Sequence, residues 1–354
     1  MEENLKLSQL WLLENPLLAK KKLCELHQLN EDCKPTYENY YELATSIRQM
    51  RALLNDAKSC SIRTRPILLY YASVQLAKAT IICSQLNSAN HHLTQKHGVS
   101  IQSKKIVNGK YLEERIRIEK QGTLITWLQA ISTLKHIQYS DVSETTPTQL
   151  NSLRGLQLSI KDLWTMLPES ELYERTGSLT RKIYVDKLEI SKERTMFTLP
   201  RILLAQWGLT IDQFEEWIRC QDIHHILTNI RYNDNKITLD LGTNLHSILH
   251  FKPSSHLFLQ NNFHYFNNYN HNTCMIAFNG PQLPWPLSNE LYLQEPIIYY
   301  MLLFHLSMLS RYYPLEWLDL IADDTSIDYM SIELLCNHTE SVLIRYAIEW
   351  FILN

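Results

Sequence analysis

Two stretches of the chain are apolar on nearly every side and predict helices that are buried around their whole circumference. The first covers residues 66–84 and the second residues 296–312. A helix of this kind lies in an apolar interior rather than on a surface. The second stretch has about 15 apolar residues, fewer than the roughly 20 that cross a bilayer. We therefore expect both helices in a protein core, packed against each other, and no membrane span.

Amphipathic patterns predict further helices on both sides of the chain's middle. Apolar residues recur at spacings of three and four over residues 4–29, 36–57, 124–134 and 150–167, and the chain after residue 286 has a helical pattern to its end. Pro16 lies inside the first of these patterns and predicts a break or kink there.

From about residue 181 to residue 280 the pattern changes to that of strands. Residues 182–190 alternate polar and apolar side chains, and residues 195–199 are expected to pair with them. Residues 230–241 predict two strands around a turn, residues 211–227 a short amphipathic helix, and residues 245–251, 257–266 and 273–278 further strands. A separate hairpin is predicted at about residues 100–118, because Asn108-Gly109 is a strong two-residue turn signal.

These elements predict an α+β fold, in which mainly helical N- and C-terminal parts form a common core around a β-rich central insertion. The expected boundaries are a helical region at 1–180 that contains the hairpin, a strand-rich region at 181–286, and C-terminal helices at 287–354 that pack on the first region. A length of 354 residues agrees with roughly two domains.

Composition and motifs exclude several classes of protein. A net charge of −3 gives no overall basic field that would attract nucleic acid. The seven cysteines include no C-x-x-C pair, and the acidic start of the chain does not resemble a signal peptide, so a cytoplasmic protein with reduced thiols is expected. The common nucleotide-binding, hydrolase and zinc-protease motifs are absent, and we expect no cofactor.

Polar residues on the two apolar helices are the main candidates for a binding site. Tyr71, Gln75 and Lys78 share one face of the 66–84 helix, and His97 and Arg311 are expected to join them. An unpaired buried cation is unfavourable, so Lys78 and Arg311 need a counter-charge, water or an anionic ligand. Two interpretations stay open: a pocket for a small anionic ligand or a protein partner, and a structural polar cluster with Lys78 extended to the surface.

Three histidine pairs are the candidates for a metal site. The pairs are His91-His92, His224-His225 and His246 with His250. The last pair has the spacing that joins two ligands on a helix, but its surroundings predict a strand. No acidic or cysteine partner lies close to it in sequence, so we expect no metal site.

Three elements together resemble the YaaC-like family of bacterial proteins, from about residue 30 to the C-terminus. They are the helix Arg65-Pro-Ile-Leu-Leu-Tyr-Tyr with Leu76-Ala-Lys78, the segment Lys96-His-Gly-Val99, and Ser310-Arg-Tyr-Tyr-Pro-Leu-Glu-Trp317. The resemblance implies no defined activity, which favours a non-enzymatic binding or regulatory protein.

The helical parts of that family are similar to HEPN-type domains, which implies an alternative function. Arg219 and His224 have the Arg-x4-His spacing of HEPN ribonucleases. In that chemistry a histidine moves the proton of the ribose 2′-hydroxyl and an arginine stabilises the charged phosphate. The alternative is a HEPN-like ribonuclease or nucleotide-acting effector in stress or phage defence, with RNA as its partner. The sequence leaves the oligomeric state open.

Overall fold

The structure is a computed structural model of the chain. It describes residues 2–28, 37–86, 96–102, 111–138, 153–165, 167, 183–185, 187–190, 195–201, 204–205, 210–221, 227–241, 264–268, 273–277, 293 and 295–352. Two compact units are present: Met1–Trp164 together with Leu293–Asn354, and Thr165–Tyr292. The boundaries expected from the sequence were at residues 180/181 and 286/287.

The first unit is mainly helical. Its helices are α1 (Glu2–Leu12), α2 (Pro16–Leu26), α3 (Tyr37–Ser59), α4 (Arg65–Ser84), α5 (Thr123–Gln138), α6 (Ile160–Thr165, which ends at the boundary), α8 (Glu295–Tyr312), α9 (Pro314–Leu320) and α10 (Ile327–Phe351). The predicted helix at 4–29 is two helices, because Pro16 begins α2 and the Asn15 side chain caps it by accepting a hydrogen bond from the Leu17 amide at 2.9 Å.

Helix α4 lies at the centre of this unit and contacts α3, α5, α8 and α10. The predicted contact between the two apolar helices is confirmed, because the Tyr70 ring of α4 lies 5.3 Å from the Tyr300 ring and 5.6 Å from the Phe304 ring of α8. Helix α4 has the length and apolar composition of a membrane span, but 78% of its most apolar window is buried inside the protein. A helix that is buried to this extent inside the protein is typical of a core helix.

A small antiparallel sheet with strand order β1-β2-β3 also belongs to this unit. Its strands are β1 (Val99–Ile101), β2 (Arg115–Ile118) and β3 (Gln157–Ser159). Val99 pairs with Ile118 and Ile101 with Ile116, while the turn that contains Asn108-Gly109 lies outside the described residues. The predicted helix at 150–167 was wrong in its first half, because β3 pairs with β2 there and the helix begins only at Ile160.

The second unit contains two antiparallel sheets and a helix, α7 (Ile211–Gln221). The strands are β4 (Ile183–Val185), β5 (Lys187–Ile190), β6 (Thr195–Pro200), β7 (Leu227–Tyr232), β8 (Lys236–Leu241), β9 (His264–Asn268) and β10 (Thr273–Ala277), in the orders β4-β10-β9 and β5-β6-β8-β7. The pairings of β5 with β6 and of β7 with β8 were predicted.

Some predictions for this unit need correction, and others fall on residues that the structure does not describe. The alternating segment 182–190 supplies strands to two different sheets, and α7 ends at Gln221 rather than at residue 227. The predicted strand at 245–251 and most of the one at 257–266 lie outside the described residues. With mainly helical terminal parts and antiparallel sheets, the predicted α+β class is confirmed.

Candidate functional site

A chain of hydrogen bonds joins α4, the segment before β1, and α8. The hydroxyl of Tyr70 lies 2.6 Å from Nδ1 of His97 and 3.2 Å from the hydroxyl of Tyr300. Tyr300 donates to the backbone carbonyl of His97 at 2.8 Å. The imidazole is therefore fixed through both its ring and its backbone by tyrosines on the two apolar helices.

Two glycines bring His97 to this position. Gly98 has φ +80° and Gly122 has φ +125°, values that side-chain-bearing residues rarely adopt. A Cβ atom on Gly122 would lie 2.6 Å from the Gly98 Cα, so the two backbones approach each other more closely than any side chain allows. The segment Lys96–Gly98 is thereby held against the start of α5, where the Thr123 amide donates to the Lys96 carbonyl at 2.8 Å.

Arg311, in the last turn of α8, lies beside this hydrogen-bond chain. Its guanidinium donates to the Tyr71 hydroxyl at 3.3 Å and to the Ser307 carbonyl at 3.0 Å. It also lies over two aromatic rings, 5.9 Å from the centre of Tyr71 and 5.2 Å from that of Tyr312. Its further neighbours are the Ser307 hydroxyl and the Met308 sulfur, so every contact it makes here is with an uncharged group. We call Tyr70, Tyr71, His97, Tyr300 and Arg311 the Arg311 cluster.

No carboxylate in the described part of the chain forms an ion pair with Arg311. Glu316, five residues beyond Arg311 in the sequence, is half-buried and makes no such contact. Two other arginines of this unit are paired with carboxylates: Arg51 with Glu14 at 3.2 Å, and Arg345 with Glu295. The half-buried charge of Arg311 is therefore balanced by hydroxyl, carbonyl and ring dipoles alone within the described residues, an arrangement that favours an incoming anion.

Two more polar groups of the Arg311 cluster have unused hydrogen-bonding capacity among the described residues. The Tyr71 hydroxyl accepts from Arg311 but its own proton has no described acceptor. Nε2 of His97 also has no described partner, while Nδ1 is hydrogen-bonded to Tyr70. Because Tyr70 donates to Tyr300, Nδ1 of His97 carries the imidazole proton and donates to Tyr70, so Nε2 is an acceptor. Arg311 and Tyr71 are therefore the groups that offer donors to an oxyanion.

The ionisation of the cluster agrees with this chemistry. Burial and then the nearby charge of Arg311 lower the pKa of His97, so the imidazole is neutral near pH 7. Burial is also the main cause that raises the pKa values of the Tyr70 and Tyr300 phenols, which stay protonated. Arg311 is therefore the cationic member of the Arg311 cluster at neutral pH.

The lowered pKa of His97 predicts a pH dependence of stability. As the pH falls, the unfolded chain, in which the histidine pKa is about 6.5, binds a proton at His97 at a higher pH than the folded chain does. The free energy of unfolding is then fully maintained above that pH and falls as the pH drops toward the folded pKa. In His97→Gln this part of the slope is expected to disappear, as measured by urea unfolding at several pH values. An NMR titration that gives His97 an unshifted pKa would contradict the prediction.

The other residues predicted for this site are placed as follows. Lys78 lies on α4 two helical turns beyond Tyr71, is half-buried, and makes no hydrogen bond or ion pair with the residues described. Gln75 is buried on the same helix. The structure thus brings together Tyr71, His97 and Arg311 but adds no contact from Lys78, whose participation stays a prediction.

The alternative site and the metal candidates lie largely beyond the description. Arg219 is on α7 but its side chain is not described, and His224 lies outside the described residues, as do His91, His92, His225, His246 and His250. Within the described residues, no group of three or more His, Cys, Asp or Glu residues is placed to hold a metal ion.

Sequence reasoning missed Tyr70, Tyr300 and Gly122. Tyr70 and Tyr300 each belong to a Tyr-Tyr pair on an apolar helix, and a buried phenol needs a hydrogen-bond partner. That rule could have pointed to a polar centre between the helices. No signal in the sequence pairs Gly122 with Gly98, because their contact depends on a positive φ at both positions.

Comparison with known proteins gives one match. The model of the family described as YaaC-like Protein matches residues 12–351. No curated protein and no solved structure matches the chain.

Proposed function

The chain belongs to the YaaC-like family, and we propose that it is a non-enzymatic binding or regulatory protein of the cytoplasm that holds an anionic group at the Arg311 cluster. The observation that carries this proposal is the half-buried guanidinium of Arg311, which no described carboxylate neutralises. The Tyr71 hydroxyl beside it is a further donor that fits an oxygen of a carboxylate or a phosphate group.

The same contacts favour binding over catalysis. Burial keeps the phenols of Tyr70 and Tyr300 protonated, and both side chains are engaged with His97. The hydroxyl that pairs with the imidazole, that of Tyr70, belongs to a side chain that is 0% exposed, so a substrate has no access to it. The ribonuclease or nucleotide-acting alternative depends on the Arg219 side chain and on His224, which lie outside the description.

Isothermal titration with inorganic phosphate and with acetate tests the proposal. In Arg311→Met we expect the affinity for the bound anion to fall by about tenfold or more, because a hydrogen bond to a charged group contributes about 1.5–3 kcal/mol and about 1.4 kcal/mol is tenfold. The matched control is Arg51→Met, which removes another ring-stacked arginine, 5.0 Å from the Trp11 ring, that has Glu14 as its partner.

Two further results decide whether Lys78 belongs to the site and whether the proposed function is correct. Lys78→Met decides whether Lys78 takes part in binding: an affinity equal to that of the wild type would place it outside the site, since the described residues give it no contact with the Arg311 cluster. A tenfold loss in that variant would place Lys78 in the site after all. Equal anion binding by Arg311→Met and the wild type, or no binding by either, would overturn the proposed function.

A further inference from the structure

A row of exposed apolar side chains begins next to Arg311. Tyr312 at the end of α8 is 62% exposed, and Leu315 and Leu318 on α9 are 75% and 43% exposed. The spacing of three puts the two leucines on the same side of α9, while Trp317 of the same helix is buried and donates to the Arg63 carbonyl at 3.0 Å. Helix α9 is thus anchored by its tryptophan and presents its leucines to solvent.

The row meets the Arg311 cluster at Tyr312. The Tyr312 ring, with its centre 5.2 Å from the Arg311 guanidinium, is the connection. Arginine and tyrosine are the residue types that contribute most at protein interfaces, where they lie beside apolar contacts that exclude water. A small free anion would cover only the guanidinium and would leave Leu315 and Leu318 exposed.

We propose that this surface binds a segment of a partner protein that has a carboxylate at one end and apolar side chains along the rest. The proposal rests on the anion site above and identifies what brings the anion: the carboxylate pairs with Arg311, and the apolar side chains cover Tyr312, Leu315 and Leu318. The charge of Arg311, which lacks a described carboxylate, selects an acidic residue at that end. Glu316 and Asp319 of α9 would repel further acidic residues of the partner segment along the row.

A selection from random peptides tests this specificity directly. The full-length protein is immobilised and a displayed library of 12-residue peptides is panned against it, with removal of peptides that also bind Leu315→Ser/Leu318→Ser. We expect the enriched peptides to share one Asp or Glu followed by apolar residues. Failure to enrich, or enriched peptides without the acidic residue, would overturn the proposal.

The enriched peptide is then synthesised and its affinity measured by fluorescence anisotropy. Arg311→Met and Leu315→Ser/Leu318→Ser are each expected to lower the affinity by roughly tenfold or more. Leu17→Ser is the control, because Leu17 is an exposed leucine of α2, 72% exposed and not part of this row. It should bind the peptide as the wild type does.

The binding of inorganic phosphate separates the two proposals. The leucine double variant should bind phosphate as tightly as the wild type, since it keeps Arg311 and Tyr71. If phosphate binding needs Arg311 but peptide binding does not need the leucines, the partner surface is wrong and the anion site stands. If Arg311→Met binds both probes normally, both proposals are wrong.

Discussion

His305→Ala is expected to destabilise the protein by about 3–5 kcal/mol, as is Glu114→Ala, because each leaves the other member of a buried pair without its partner. His305 on α8 is fully buried, Glu114 just before β2 is 5% exposed, and Nε2 of His305 contacts a carboxylate oxygen of Glu114. The loss is measured as the free energy of unfolding in urea.

The surroundings of this pair make the expected loss large. Within the described residues, Nδ1 of His305 and Oε1 of Glu114 have no hydrogen-bond partner, so the contact between the two side chains is the one that offsets their burial. The Tyr111 ring, 5.8 Å from the imidazole, covers the site without a hydrogen bond to it. Within the part of the chain that the structure describes, no other group hydrogen-bonds to either side chain in place of a lost partner.

Two variants serve as comparisons for this prediction. His338→Ala removes an exposed histidine of α10 and should change stability by no more than about 0.5 kcal/mol. The double variant His305→Leu/Glu114→Leu should lose less than the sum of the two single losses, since neither group is then left alone. Single losses below about 1 kcal/mol would show that the pair is not a stabilising contact.

Leu303→Ala is expected to lower the free energy of unfolding by about 2–5 kcal/mol, and Leu76→Ala by a similar amount. Both side chains are 0% exposed, Leu303 on α8 and Leu76 on α4, so each truncation opens a cavity in the core that the two helices share. Leu315→Ala, on exposed α9, is the control and should stay within about 0.5 kcal/mol of the wild type. Equal effects of the buried and exposed changes would contradict the common core.

The sequence by itself determined the core of this protein. A helix without a polar face has to be surrounded by other apolar elements, and residues 66–84 and 296–312 satisfied that condition from their pattern alone. The same is true of the β5–β6 and β7–β8 pairings, where local alternation and a short turn are sufficient signals. Residues 157–159 gave no such signal, because three residues show no period and only pairing with β2 makes them a strand.

The candidate site was determined only in part. The chemical types were visible, and Arg311, Tyr71 and His97 were expected together because polar groups on apolar helices need partners. Which partners they find was decided by tertiary structure: Tyr70 and Tyr300 reach His97 because Gly98 and Gly122 allow their backbones to touch.

The pairing of charges was likewise decided by tertiary structure alone. Glu114 meets His305 across 191 residues and Glu295 meets Arg345 across 50, whereas Arg311 meets no carboxylate within the described residues although Glu316 is near in sequence. Local patterns report how each segment is buried, since burial repeats along a helix or strand. Which distant side chains share a site depends on how those elements cross, and no period in the sequence records that.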